Sequence, residues 1–299
     1  MTVEVAMKDK SIPGRTIKAI DYWCNPFTPE TLCKFLEDEE VGHVIKWWGM
    51  EDKWQSKSVE QFVRMMDEAN VEMAMVPNLQ MRSYQRKVMI TDFSVEEIAA
   101  IVRQCPSRLK GLYGINPYKK MEGVRELEAA VKEYGFIGAH LHTYGFSRAI
   151  NHRDYWPYYA KCHELDIPVV MQVGHSAEAM PSDLARPVRL DDIALYFPRL
   201  RIVGAHTGWP WVEELIAMSW KHRHIYIGTS MHLPKYWDRS LVSFLNTRRG
   251  IGKVMFGSDY PGLSYDEALQ QLDQIRLKEE AKKSLLRGTA LKVFNLNPS

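Results

Sequence analysis

Two short stretches of the chain end in groups able to move a proton. Residues 201–208, RIVGAHTG, run apolar and close on His206. Residues 251–262, IGKVMFGSDYPG, run apolar and close on Asp259 before Pro261 and Gly262 turn the chain away. An imidazole beside a carboxylate is held in one tautomer and serves as a general base near neutrality, where histidine titrates unassisted. Other apolar runs also end in polar groups. His140 and His142 flank Leu141, and Gln172 precedes His175 by three positions. Asp21, Trp23 and Asn25 close the first run, Asn116 the third, and Thr229, Ser230 and His232 the seventh. One such histidine is ordinarily a hydrogen-bonding structural residue. Several converging on one mouth imply an active site. The catalytic candidates are His206, Asp259, His175 and His142. The candidates for holding substrate are Trp23, Asn25, Asn116, His140, Gln172 and Trp209. Gln172, Asn25 or His142 would donate to a developing oxyanion.

That convergence requires elements that present their ends on one side. Eight apolar runs read as strands: 16–22, 71–76, 109–115, 136–141, 168–173, 201–205, 225–228 and 251–256. Helical periodicity separates them, as over 58–69, where Val59, Phe62, Val63 and Met66 share a face. Ser94 followed by Glu97 marks a capping box. Strands alternating with helices imply parallel strands and right-handed crossovers. Eight such units imply an α/β fold, a (β/α)8 TIM barrel, with its site at the C-terminal strand ends. A doubly wound sheet would show fewer units and a glycine-rich first turn. We expect an N-terminal lead over 1–15 and one barrel domain over 16–299. Excursions at 41–55 and 78–94 are expected to be long loops over the mouth.

Composition narrows the function classes. The chain has 299 residues, 45% of them hydrophobic, with a net charge of +2, which argues for no nucleic acid or membrane partner. Cys24, Cys33, Cys105 and Cys162 show neither ligand spacing nor a disulfide framework. The first residues, MTVEVAMKDK, are polar, and a cytoplasmic location is expected. No glycine-rich phosphate cradle is present, so no cofactor is expected. Nine tryptophans suggest an aromatic-lined cavity or a subunit interface. Trp23, Trp47, Trp48, Trp54, Tyr144 and Trp209 suit a flat ligand. Arg82, Arg86, Lys87 and Arg148 are loop cations available to a substrate carboxylate or phosphate, or else solvated surface charge.

With GAHLH, IPVVMQVG, RIVGAHTG, KVMFGSDYP and the closing LLRGTALKVF in this order, the chain from about Ile17 to Leu296 resembles the amidohydrolase-related group that contains aminocarboxymuconate-semialdehyde, resorcylate and carboxyvanillate decarboxylases. The resemblance implies a distorted TIM barrel of the metal-dependent-hydrolase kind, often with one divalent metal, that cleaves bonds in small, usually carboxylated substrates, and usually a homodimer. The family's Asp-x-His-x-His stretch is here Asp21-Tyr22-Trp23-Cys24-Asn25, and its fifth-strand metal histidine is Gln172. Its later histidine and aspartate stand as His206 and Asp259. Tryptophan does not ligate a metal and an amide is a weak zinc ligand, so a metal-free site is expected. A relocated site would draw on His175, His206 and Asp259.

A metal-free histidine and aspartate suit hydrolysis of an activated carbonyl or C–C bond in a small aromatic or carboxylated substrate, with His206 and Asp259 activating water. The alternative is a non-oxidative decarboxylase or other lyase in the same pocket. A second alternative is a barrel that has lost chemistry and serves as a binding protein. The homodimer is expected to use residues 41–55.

Overall fold

The computed structural model describes residues 17–297. The expected lead over 1–15 lies outside the described residues. Eight parallel strands form one sheet. They are β1 (Ala19–Asp21), β2 (Val71–Pro77), β5 (Leu109–Gly114), β6 (Gly138–Leu141), β7 (Val169–Gln172), β8 (Ile202–Ala205), β9 (Ile225–Gly228) and β10 (Val254–Met255), hydrogen-bonded in that order. β3 (Gln80–Arg82) and β4 (Met89–Asp92) form a separate antiparallel pair. Every sheet pairing joins strands consecutive around the barrel, as the alternation of strand and helix predicts. Tyr22 N–H donates to Phe256 O at 3.2 Å, and Asp259 N–H to Trp23 O at 3.0 Å. These two bonds tie the first strand's end to the last, where the barrel is open and distorted.

Alternation along each strand sorts the side chains into two cores. Ile20, Leu112, Val170, Val203, Tyr226 and Met255 pack inside the barrel. Their neighbours Ala19, Leu109, Val169, Ile202, Ile225 and Val254 pack outward in the layer that the helices cover. Carried past the strand ends, the same alternation turns Gln172 inward after Val170 and His142 inward after His140. Leu141 between the histidines packs outward.

The excursions are more ordered than the expected loops. Residues 41–55 begin inside a helix, α2 (Glu39–Trp47), which follows α1 (Pro29–Leu36). Val41 and Ile45, four apart, are its buried face. Asp38 caps it, accepting from Glu40 N–H at 2.9 Å. Residues 78–94 hold the β3–β4 pair. Arg86 joins the two excursions, reaching Asp38 at 2.6 Å and Glu40 at 2.9 Å. The eighth strand is shorter than expected, because Ile251–Lys253 form a turn before Val254. Ser94 and Glu97 make the expected reciprocal cap, at 2.8 and 3.1 Å.

Candidate active site

The loops after the strands and the α1–α2 segment enclose a cavity of about 570 Å³, within the range of small-molecule sites. Its polar wall consists of Asn25, His142, Gln172, His175, Glu178, His206, His232 and Asp259. His206 and Asp259 each leave their strand with φ of +57°. A left-handed backbone costs a non-glycine residue about 1–2 kcal/mol, and such strain concentrates where a structure must aim a side chain.

The local bonds explain how the strain is held. Asn25 Nδ2 donates to Asp259 Oδ1 at 2.7 Å. Behind it, buried Asp21 accepts from Ser258 N–H at 2.9 Å and from the Tyr265 hydroxyl at 2.9 Å, and also from the Ser258 hydroxyl. Asp21 thereby fixes the residue before Asp259. Burial raises Asp21 to about 6 against those bonds. His206 Nδ1–H donates to Ser230 O at 3.3 Å, with Ser230 Oγ at 3.1 Å and Asp259 Oδ2 at 3.9 Å. The Ser230 carbonyl can only accept, which places the proton on Nδ1 and leaves Nε2 as the acceptor. The buried Tyr22 hydroxyl bonds Ser230 Oγ from inside the barrel. Tyr22 fits because Gly228 and Gly257 carry no Cβ: one added at either would stand 2.3 Å from its ring.

Burial sets the charge states. It pushes Asp259 up to about 7; the Asn25 hydrogen bond opposes the rise, while Asp21 and Glu178 add to it. Burial pulls His206 down to about 3, with His232 contributing. His232 itself is pulled down to about 4, first by burial and then by His175. Burial thus favours the protonated form of the acid and the uncharged form of the imidazole beside it. Opposite them, His142 Nε2 stands 3.7 Å from Glu178 Oε2. Glu178 also accepts from Ser176 Oγ at 2.7 Å. Burial raises the Glu178 carboxyl, but His142 and Ser176 outweigh it and bring it to about 2.

The four catalytic candidates His206, Asp259, His175 and His142 all line this cavity, as do Trp23, Asn25, Gln172 and Trp209. His175 crosses Trp209 edge-on, with centroids 4.8 Å apart. His140 and Asn116 are not in the wall. His140 is buried against Trp23, 4.6 Å between centroids, and accepts from Gln172 Nε2 at 3.4 Å. Asn116 serves its own loop, accepting from Tyr118 N–H at 3.0 Å. Of the other expected aromatics, Trp48 and Trp54 line the cavity, Trp47 is 79% exposed, and Tyr144 is buried beside His142. None of the expected cations lines it. Arg86 pairs with Asp38 and Glu40, Arg148 with Asp154 at 2.8 Å, and Arg82 donates to Lys87 O at 2.7 Å. Lys87 lies over the Tyr84 ring, 4.0 Å from its centroid. Each of the three arginines lies near a partner in sequence or on a neighbouring excursion, which sequence alone does not reveal. Glu178 was not singled out. An acid in a polar loop carries no signal until the fold turns it inward.

The amidohydrolase family model matches residues 20–296. The chain belongs to this family. Among curated relatives, the gamma-resorcylate decarboxylase of Polaromonas sp. strain JS666 is 25% identical over 79% of this chain and 86% of its own length. That of Rhodococcus jostii strain RHA1 is 22% identical over 79% and 87%. An uncharacterized TIM-barrel protein from Bordetella bronchiseptica superposes with a TM-score of 0.78 at 20% identity, over 94% of this chain and 99% of that one. A dihydroxybenzoic acid decarboxylase from Polaromonas sp. JS666, solved with bound manganese and 2-nitroresorcinol, gives 0.69 at 21%, over 95% and 98%.

That manganese raises the question of whether this amidohydrolase-family chain has the ligands for one. A divalent ion requires several converging nitrogen, oxygen or sulfur donors. Among the described residues, no three His, Cys, Asp or Glu side chains form such a group, and this includes His175, His206 and Asp259. The Trp23 indole sits between His140 and His206, 4.6 and 4.8 Å between centroids, with its N–H buried and unpartnered. The residues present do not fit the ion.

Proposed function

We propose that this chain is a non-oxidative decarboxylase of a small aromatic carboxylic acid, with Asp259 as the proton donor. The observation that carries the reading is a buried carboxyl raised to about 7 beside an imidazole lowered to about 3, in an aromatic-walled cavity. A base of that strength activates water poorly at neutral pH, which weakens the hydrolase reading. A carboxyl raised to about 7 is a competent acid there. The gamma-resorcylate decarboxylases among the relatives support the same choice. On the residues alone His206 carried the proton and Asp259 oriented it; the electrostatics favour the reverse.

In the proposed step Asp259 gives its proton to the ring carbon that bears the carboxylate. The C–C bond then breaks, its electron pair restores the ring, and carbon dioxide leaves. Water returns a proton to Asp259. His206 Nε2 accepts a hydrogen bond from a ring hydroxyl and orients the ring. Among the described residues no Lys or Arg lines the cavity, so a bound carboxylate meets no fixed cation. Transfer of that charge out of water favours the step that disperses it.

Ortho-hydroxybenzoates labelled with ¹³C at the carboxyl, turned over in D₂O and separately in H₂¹⁸O, test the proposal. Labelled carbon dioxide with one deuterium at the vacated ring carbon is expected. Incorporation of ¹⁸O into a product without release of carbon dioxide would establish hydrolysis instead.

A further inference from the structure

We infer that the substrate is larger than a bare carboxylated ring: it carries an uncharged apolar substituent, which the wall built by α1, α2 and the following turn receives. This rests on the decarboxylase reading for the head of the molecule. The cavity has two unlike sides. The strand ends and the loops after them supply every histidine, amide and carboxylate of the lining, together with Trp23, Trp209 and Met231. Across from them stand Phe35, Val41, Val44, Ile45, Trp48 and Trp54, with Leu79 and Met81 from the stretch after β2. Size makes the same point. A ring with a carboxylate and one hydroxyl has ten heavy atoms, and at a water's share of about 30 Å³ each it fills roughly 300 Å³. That leaves a large part of the cavity's 570 Å³ unfilled.

The apolar wall is built rather than incidental. Trp54 stacks on Phe35 with 5.2 Å between centroids and 4° between planes. Arg86 pins the start of α2 through Asp38 and Glu40. The tilt of α2 that presents Val41, Val44, Ile45 and Trp48 to the cavity is thus held by charge pairs on its outer side. The same pairs occupy the Arg86 guanidinium, and among the described residues no Lys or Arg lines the cavity. A second carboxylate or a phosphate on the substituent would therefore lose water with no counter-charge in return. The strand-end groups orient the head, and Val44, Ile45, Trp48 and Trp54 select the tail.

Isothermal titration of the full chain with two homologous series tests this. One is 2-hydroxybenzoate with 4-alkyl chains from methyl to pentyl; the other is the matching 4-alkylphenols, whose head bears no charge. In at least one series Kd is expected to fall about 3- to 4-fold per methylene, the usual gain for burying that group, until the cavity fills. A pentanoate tail in place of the pentyl is expected to bind at least 10-fold more weakly. Val44→Trp, at a half-buried position facing the cavity, should reduce the gain to under 2-fold per methylene. Trp48→Ala, at a site 39% exposed, should make it shallower without disturbing the fold. A flat dependence in both series, or no binding by any member, overturns the inference; so does a wild-type slope kept in both variants. The two readings fail separately. Carbon dioxide released from the unsubstituted acid with flat slopes removes the tail site alone. Steep slopes with no carbon dioxide from any acid remove the reaction alone.

Discussion

Asp259 and His206 exchange the ionisation behaviour their types would suggest. The acid, ordinarily near 4, is raised to about 7; the base, ordinarily near 6.5, is lowered to about 3. Burial disfavours the charged form of each and so moves them in opposite directions. The sign of the pH dependence follows. If protonated Asp259 is the donor, the competent form is full below about 7 and is lost as pH rises through it. Turnover should therefore fall tenfold per pH unit well above 7, with no matching limb from His206 between pH 5 and 9. The kcat–pH profile checks this; a limb that rises through 6–7 would instead show a group that must be deprotonated, as a general-base imidazole must. Asp259→Asn keeps an acceptor for Asn25 but has no proton to give, and kcat should fall at least about 10²-fold. His206→Asn should cost a similar factor, since it removes the acceptor that orients the ring. Near-normal turnover in a folded His206→Asn protein would take His206 out of the mechanism.

At the scale of elements, the last two barrel strands hold the site from behind. Tyr22 rises from the end of β1 into the space that Gly228 and Gly257 leave open, and through Ser230 it steadies the ring of His206. Gly228→Ala places a methyl 2.3 Å from the Tyr22 hydroxyl. The sheet around it is closely packed, so the ring has to shift. Overpacking of this kind costs about 1–3 kcal/mol, and the shift also loosens the bond to Ser230. A lower urea midpoint together with a lower kcat is the expected result. Full activity with reduced stability would show that Tyr22 fills space and does not position His206.

For the whole molecule, two expectations rest on surfaces and donors rather than on the reacting pair. The donor set does not fit a divalent ion, so purified protein should carry far less than one equivalent of zinc, manganese or iron, and dialysis against a chelator should leave kcat unchanged. Elemental analysis showing one tightly held ion per chain would overturn this. The second concerns assembly. Trp47 is 79% exposed and Trp48 39% exposed on the same excursion, and a surface of that kind is readily covered by a second copy. Light scattering should give twice the 34.7 kDa of one chain. A mass of one chain would leave these tryptophans as solvent-facing rim. Among the described residues no helix is long and apolar enough to cross a membrane.

What was legible in sequence was whatever repeats locally. Short apolar runs separated by helical periodicity implied eight parallel strands, because strand and helix each write their period into the chain. The polar residues in and just after the ends of those runs mark the mouth, because strands that run parallel bring all their ends to one side. His206, Asp259, His142, His175, Gln172, Asn25, Trp23 and Trp209 line one cavity there. Sequence did not separate His140 and Asn116 from them, because a residue may end a strand and still lie behind the wall. The helix α2 was read as a loop: its charged face and two adjacent tryptophans blur the period, and its buried face is only Val41 and Ile45. Glu178 gave no signal at all. Ionisation was the largest gap. Type alone puts an aspartate near 4 and a histidine near 6.5. Only the tertiary structure, which takes an acid and a base largely out of water together, raises the one and lowers the other.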